Sequence, residues 1–262
     1  MILNIELTSR CNKNCWMCGR RKIDRDYPDI QMNYGDMDFN LVKRIATQIP
    51  DETLIQFHNN GEPLLYPYLN ETLKLFEGKI RCFDTNGVLL ANKEIQDALI
   101  NNMESLTLST FQDDPEWEQQ YENLLNFLMV KGERKPQVII RVLGNIGEER
   151  LRLYKKTGCL LAYRILHSPM GSFDYEKQPV IPEHGICLEM LNHPVINRLG
   201  EFSVCVRFDP HKDLVIGNIG EQTFDEIWNG EKRKKMLAMH LQGERNLIPF
   251  CSKCEFWGIP RG

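Results

Sequence analysis

An α/β architecture built on a parallel sheet is predicted by three observations. Short apolar runs at residues 2–8, 54–58, 80–85, 105–110, 137–143 and 160–167 have the length and composition of strands. Segments with apolar residues at helical spacing alternate with them, joined by short connections. Six β–α repeats of this kind imply parallel pairing and right-handed crossovers, in a sheet that is curved or partly closed. Length is the third observation. A chain of 262 residues suffices for one large α/β domain, or one domain with an appendage. A full eight-stranded barrel takes about 250 residues, too many to fit before the C-terminal cysteines begin. A six-stranded partial barrel fits.

Taken in order, the first run leads into Cys11, Cys15 and Cys18. Asp38 is suited to cap a helix that places Phe39, Val42, Ile45, Ala46 and Ile49 on one face and stops at Pro50. Further helices are expected over 68–76, 93–101, 115–130 and 148–157, the last closed by Gly158. The β–α rhythm stops after Gly171, so the chain is expected to divide into a barrel at 1–171 and a small domain at 172–262. In the latter, residues 224–235 read as one helix that packs through Ile227, Trp228 and Met236.

Apolar residues make up 42% and charged residues 26%, an ordinary globular balance, and the net charge of −4 gives no electrostatic case for a nucleic-acid or membrane surface. The basic run at 232–235 reads as a solvated helix face. No apolar segment reaches the ~18 residues of a membrane span, and Met1 leads into a strand rather than a secretion signal. Nine cysteines without such a signal favour metal binding in a reducing cytoplasm over disulfides.

Cys11, Cys15 and Cys18 stand at C-x₃-C-x₂-C spacing. A [4Fe–4S] cluster normally takes four thiolates, so three would leave one iron with an open position for chemistry. Zinc sites pair thiols with a second, distant pair, and no fourth His or Cys follows closely here. At the other end Cys187, Cys205, Cys251 and Cys254 are enough to close a second cluster, and on ligands alone they would equally make a structural zinc site. Cys82 and Cys159 are left over, and both read as small buried hydrophobes.

The odd residues fall after the strand runs, where parallel α/β barrels gather function. The three-cysteine stretch follows the first run, His58-Asn59-Asn60-Gly61-Glu62-Pro63 the second, Asp84-Thr85-Asn86-Gly87 the third, and Ser109-Thr110 ends the fourth. The cysteine spacing, the apolar Met17 before Cys18 and the Asn60-Gly61-Glu62-Pro63 turn, similar to a G-G-E-P motif, resemble the radical S-adenosylmethionine enzymes. The resemblance implies a partial (β/α)₆ TIM-like barrel with a small C-terminal hairpin and helix holding iron–sulfur. It implies that Asn60, Gly61, Glu62, Pro63 and Met17 serve S-adenosylmethionine, Glu62 as an acceptor for its amino group. Ser109 matches the family's polar residue on strand four, and Phe111 stands where relatives often have Asp. Arg141 would reach the methionine carboxylate, unless it lies on a solvated outer face. The C-x₁₂-G-x₄-C segment through Gly200 and the terminal C-x₂-C look like a Twitch domain, a shortened SPASM extension whose hairpin bears two cysteines.

These likenesses imply two [4Fe–4S] clusters, one binding S-adenosylmethionine and one auxiliary. The implied reaction is abstraction of a substrate hydrogen and oxidation of a small hydroxylated or amino-sugar-like molecule, with flavodoxin or ferredoxin as reductant. His167, after the sixth run, is the expected proton acceptor. Peptide modification, epimerisation and a zinc-stabilised binding module are the competing expectations. Cys11 comes too early for a preceding leader-binding domain in this chain, which argues against the first.

Overall fold

A computed structural model describes residues 1–31, 33–164 and 184–254. Each predicted strand is present. β1 (Ile2–Ile5), β2 (Leu54–Gln56), β3 (Arg81–Thr85), β4 (Ser105–Phe111), β5 (Gln137–Leu143) and β6 (Leu160–Arg164) lie side by side in chain order, and every neighbouring pair is parallel. This is a mixed α/β fold of the partial-barrel kind. The ladders stop short of the apolar runs: β1 ends at Ile5 and β2 at Gln56, so residues 6–8 and His58 already belong to the loops.

The crossovers are helical. They begin with α1 (Gly19–Asp26) and α2 (Phe39–Ala46), followed by α3 (Leu69–Leu75), α4 (Lys93–Leu99), α5 (Trp117–Lys131) and α6 (Glu148–Lys156). Asp38 caps α2 as expected, accepting the N–H groups of Asn40 at 2.8 Å and Leu41 at 3.3 Å. Gly158, at φ +74°, follows the last turn of α6 in the left-handed conformation that ends helices. α1 was not expected. Its buried residues are Gly19, Arg20 and Ile23, so no apolar stripe announces it.

The sheet does not stop where the C-terminal region begins. After α7 (Leu188–Asn192), β7 (Val195–Ile196) pairs parallel with β1, Asn4 opposite Val195, and β8 (Glu201–Ser203) and β9 (Val215–Asn218) add antiparallel strands. The result is one sheet of nine strands in the order 6-5-4-3-2-1-7-8-9. The hairpin turn is built by Asn197, whose Oδ1 accepts the N–H groups of Leu199 and Glu201 at 3.0 Å each. Gly200 closes it at φ +80°, where a Cβ would also stand 2.7 Å from Asn218 Oδ1.

Two expectations about this region need correction. The single helix at 224–235 is two, α8 (Phe224–Trp228) and α9 (Glu231–Leu241), parted at Asn229-Gly230. A Thr223/Glu226 capping box starts the first, and Gly230 caps the second at a point where a Cβ would meet the Glu226 carbonyl at 2.7 Å. Cys187 does not lie on the hairpin. It caps α7, because residues 188–192 complete a helical turn before the strand can start. α10 (Pro249–Lys253) ends the described chain.

Phe202, fully buried in β8, packs edge-on against Phe224 at 5.4 Å and near Trp228 at 5.9 Å. This joins α8 to the sheet edge, inside an apolar core that runs unbroken from Leu3 and Ile5 of β1 to Ile227 and Met236. Phe202→Ala should therefore cost about 3–5 kcal/mol. Urea unfolding of the variant, followed by fluorescence and circular dichroism, should show one shifted transition rather than separate loss of the C-terminal strands.

Candidate active site

The two faces of β1 and the extended residues that follow it carry different chemistry. Leu3, Ile5 and Leu7 are buried in the apolar core, while Asn4, Glu6 and Thr8, equally buried, alternate with them on the inner face of the sheet. The same alternation places Gln56 and His58, then Cys82 and Asp84, then Arg141, along that face. Where parallel strands are buried on both sides, near-continuous apolar runs are the norm. The polar exceptions mark the lumen.

The first thiol group sits in the loop between β1 and α1, with Cys11, Cys15 and Cys18 all partly exposed. The loop is fastened from below. Lys13, 5% exposed, puts its Nζ on both oxygens of Asp114 at 2.9 and 2.8 Å and over the Phe111 ring at 5.2 Å, which gives Phe111 a structural place. The buried Arg20 donates to the Ser9 carbonyl and stacks on Tyr34, and Arg21 donates to the Lys13 carbonyl at 3.1 Å. Donors already point at sulfur: the Lys13 N–H reaches Cys11 Sγ at 3.5 Å and Asn86 Nδ2 reaches it at 3.7 Å. Burial pushes the Cys15 thiol up to about 12, with Cys11 and Cys18 adding to the shift. Iron at these sulfurs would reverse that balance, because a coordinated thiol is deprotonated outright.

The Asn60-Gly61-Glu62-Pro63 turn is locked to the same loop. A Cβ on Gly61 would come within 1.9 Å of the Thr8 carbonyl oxygen, so no side chain fits there. The Glu62 N–H donates to the Arg10 carbonyl at 2.8 Å, and the Asn60 N–H to Glu6 Oε1 at 3.2 Å. Pro63 opens a short 3₁₀ turn. The Glu62 carboxylate, 2% exposed, accepts from the Thr85 hydroxyl at 2.8 Å, the Asn86 N–H at 2.8 Å and the Leu64 N–H at 3.1 Å. Two of these bonds brace the end of β3 and the turn after it, the third its own 3₁₀ turn, and Asn86 in turn holds Asn12 and Cys11. Burial pushes its pKa up to about 7 against those three bonds. Met17 stands partly exposed before Cys18.

Ser109 and Arg141 are register partners across β4 and β5. Gln120, almost fully buried, donates to the Ser109 carbonyl at 2.9 Å and the Asn86 carbonyl at 2.7 Å, tying the ends of β3 and β4. Arg141 does not face outward to solvent. Its guanidinium pairs with Asp84, whose other neighbour is His58 Nε2 at 3.6 Å. Desolvation holds the His58 pKa down, although Asp84 opposes it. Cys82 lies one register step below Asp84 on this face, half-buried, with Sγ 3.4 Å from the Ile55 carbonyl. His167 lies outside the described residues.

The second thiol group hangs from the strands added beyond β1. Cys187 caps α7, Cys205 follows β8 and takes the Arg207 N–H at 3.5 Å, Cys251 lies in α10, and Cys254 caps its end. Burial raises the Cys205 and Cys251 thiols, the latter to about 12; Cys187 lies within electrostatic reach of both, and Cys254 of Cys251. Among the described residues, no three His, Cys, Asp or Glu side chains in either group close on a single ion.

Sequence reasoning missed the groups that join the two ends. Asn4 donates from Nδ2 to the His58 carbonyl at 2.8 Å, and its Oδ1 meets His193 Nε2 at 2.9 Å. His193 Nδ1 pairs with Glu189 at 2.7 Å, and Glu189 stands 3.5 Å from the Arg207 guanidinium. The usable signal was in β1 itself, where Asn4 and Glu6 interrupt an apolar run. A cavity of about 300 Å³ opens beside them, between Ser9 and Asn60 on one side and Ser203 and Arg207 on the other.

Comparison with known proteins places these features. Residues 187–255 match the SPASM iron–sulfur cluster-binding domain. The S-adenosyl-L-methionine-dependent 2-deoxy-scyllo-inosamine dehydrogenase of Niallia circulans is 24% identical over 97% of this chain and 92% of its own length. A tungsten-containing aldehyde ferredoxin oxidoreductase cofactor-modifying protein of Pyrococcus furiosus is 32% identical over 36% of this chain, covering 26% of its own length. Among solved structures, BtrN in complex with AdoMet and 2-DOIA superposes with a TM-score of 0.60 at 21% identity, covering 97% of this chain and 92% of BtrN. Native anSMEcpe with bound AdoMet superposes at 0.64 with 16% identity, covering 91% of this chain and 83% of its own. Residues 187–255 thus match a SPASM iron–sulfur cluster-binding domain, and over nearly its whole length the chain is similar to an S-adenosyl-L-methionine-dependent 2-deoxy-scyllo-inosamine dehydrogenase.

Proposed function

We propose that this chain oxidises a small hydroxylated or amine-bearing molecule, with one S-adenosylmethionine-binding [4Fe–4S] cluster and one auxiliary [4Fe–4S] cluster. The carrying observation is the pair of thiol groups, three and four, attached to either side of the polar face of β1. When bound, the cofactors supply a 5′-deoxyadenosyl radical that takes one hydrogen atom from a carbinol carbon, and an acceptor for the electron that leaves with the hydroxyl proton to complete a ketone. The donor set fits them: in each group a backbone N–H already donates to sulfur, as it would to a thiolate ligand.

Cys11, Cys15 and Cys18 would hold the first cluster, and Cys187, Cys205, Cys251 and Cys254 would close the second, leaving it no vacant iron. Asn60, Gly61, Glu62, Pro63, Met17, Ser109 and Arg141 would line the S-adenosylmethionine site. Glu62 acts there mainly by holding the loops after β1, β2 and β3 in one arrangement, with one acceptor position left for the ligand. Asp84 orients Arg141 and keeps its charge on the inner face. Lys13 and Asp114 exclude water beneath the first thiol loop. His167 is the proposed acceptor of the hydroxyl proton. Residues 1–171 and 172–262 are the two proposed functional halves, joined by one sheet. A flavodoxin or ferredoxin would serve as reductant in the cytoplasm, with no nucleic acid or membrane partner. Among the described residues, no helix is long and apolar enough to cross a membrane.

After anaerobic reconstitution, Cys18→Ala should abolish 5′-deoxyadenosine formation. Cys251→Ala should retain part of it while stopping substrate oxidation, with iron falling from near eight per chain to near four. Equal loss of both activities in a folded Cys251 variant would remove the electron-acceptor role. The Glu62 carboxyl gives a separate check on the bracket. Its folded pKa of about 7 lies above its ordinary 4.5, so the folded state binds the extra proton between those values. Its contribution to stability is present below about pH 4.5 and is lost as pH rises through about 7. Subtracting Glu62→Gln from the native chain in urea melts should isolate this loss, on the order of 1–3 kcal/mol between pH 4.5 and 7.5.

A further inference from the structure

We propose that Glu6 recognises an ammonium group on the substrate, so that the cavity beside β1 selects amine-bearing polyols over neutral ones. The inference rests on the dehydrogenase reading above, takes this cavity as the place where the substrate would sit, and assigns its specificity. Glu6 lies on the inner face of the sheet, 2% exposed, in the cavity wall. Each of its oxygens accepts one N–H at 3.2 Å, from Asn60 on Oε1 and from Arg198 on Oε2. The Asn60 side chain also bonds to the carboxylate, so one of its four acceptor positions remains for a ligand, and the two backbone bonds fix its direction.

The cations of the wall are engaged elsewhere. The Arg198 guanidinium donates through Nε and Nη2 to the Asn33 carbonyl. Lys212 pairs with Glu201 at 2.6 Å, and Arg207 faces Glu189 at 3.5 Å. Among the described residues Glu6 has no ion-pair partner, although Arg198 lies within longer electrostatic reach. Asp209, the remaining acid of the wall, accepts the Leu214 N–H at 2.8 Å. A buried carboxylate without a countercharge carries an uncompensated desolvation cost, and a ligand ammonium within hydrogen-bonding distance offsets it. A hydroxyl at the same point can donate to the carboxylate but brings no charge to offset that cost.

The test uses the reconstituted full chain loaded with S-adenosylmethionine and no reductant, so that nothing turns over. Calorimetric titration would compare three probes: 2-deoxy-scyllo-inosamine, its analogue with hydroxyl in place of the amine, and its N-acetyl derivative. The amine should bind roughly ten- to a hundredfold more tightly than either of the others. Glu6→Gln, with its fold checked by circular dichroism, should bring the amine down to the hydroxyl analogue without weakening the latter. Equal binding of amine and hydroxyl by the native chain, binding of neither, or a preference that survives in Glu6→Gln but disappears in Asp209→Asn would overturn the assignment. The N-acetyl comparison needs no variant and decides the matter if Glu6→Gln fails to fold. Product analysis with reductant separates the two readings. An amine preference with no oxidised product would sink the dehydrogenase reading and leave Glu6 in place. Equal oxidation of amine and hydroxyl probes would do the reverse.

Discussion

β1 is hydrogen-bonded on both edges, to β2 on one side and β7 on the other, both parallel to it. The rest of the molecule depends on this double pairing. The loop that leaves β1 carries the first three thiols, the loop that leaves β2 carries the Gly61–Glu62 turn packed against it, and the segment that enters β7 follows Cys187. A strand of four residues therefore fixes the relative positions of groups far apart in sequence, 189 residues in the case of Asn4 and His193. The C-terminal strands are an extension of the barrel wall. Any displacement of the second thiol group would have to break the β1–β7 ladder or the Phe202 cluster first.

Charge is buried in this structure where loops must be held, and each burial has its compensation. Lys13 and Asp114 bring the two ends of a 101-residue separation into a dry pair, braced at the rim by Glu116 at 3.4 Å. Such a pair gains little over a hydrophobic contact of the same size, but removing one partner leaves an isolated charge costing about 3–5 kcal/mol. It therefore fixes geometry more than it adds stability. Asp84 and Arg141 repeat the pattern on the inner face. Among the described residues Glu62 has no cation beside it and is stabilised instead by three donors from its own and the neighbouring loop, and burial still outweighs them. These arrangements lie under or beside the three-thiol loop, where the proposed cofactor would be met by groups already in place.

The sequence made the repeating part of the fold legible, because local signals decide it. Alternating apolar runs located β1 to β6, Asp38 marked the start of α2, and Gly158 the end of α6. The spacing of the cysteines marked the two thiol groups. What stayed hidden depends on contacts far apart in the chain. Nothing local announces that Val195 pairs with Asn4, so the boundary at 171 looked like the end of a sheet. Cys187 looked like a hairpin residue because the turn of α7 is only five residues long. The break in the 224–235 helix was signalled by Asn229-Gly230, a pair that disfavours a helix interior, yet the apolar spacing on either side concealed it. Phe111 looked like a missing acid, and the structure gives it a different task beneath Lys13.

Stability and chemistry are kept apart by the strand pleat. Along β1 and the three residues that continue it, one face supplies Leu3, Ile5 and Leu7 to a continuous core, and the other supplies Asn4, Glu6 and Thr8 to the lumen, every one of the six nearly inaccessible to solvent. A side-chain period of two lets one short segment serve both purposes without compromise, since a substitution on either face leaves the other's contacts intact. The same property makes the register unforgiving. A shift of one residue against β2 or β7 would turn Glu6 and Asn4 into the core and Leu3 and Ile5 into the lumen, burying two polar groups without partners. The parallel ladders on both edges are what prevent it, and the polar lumen in turn penalises any other alignment.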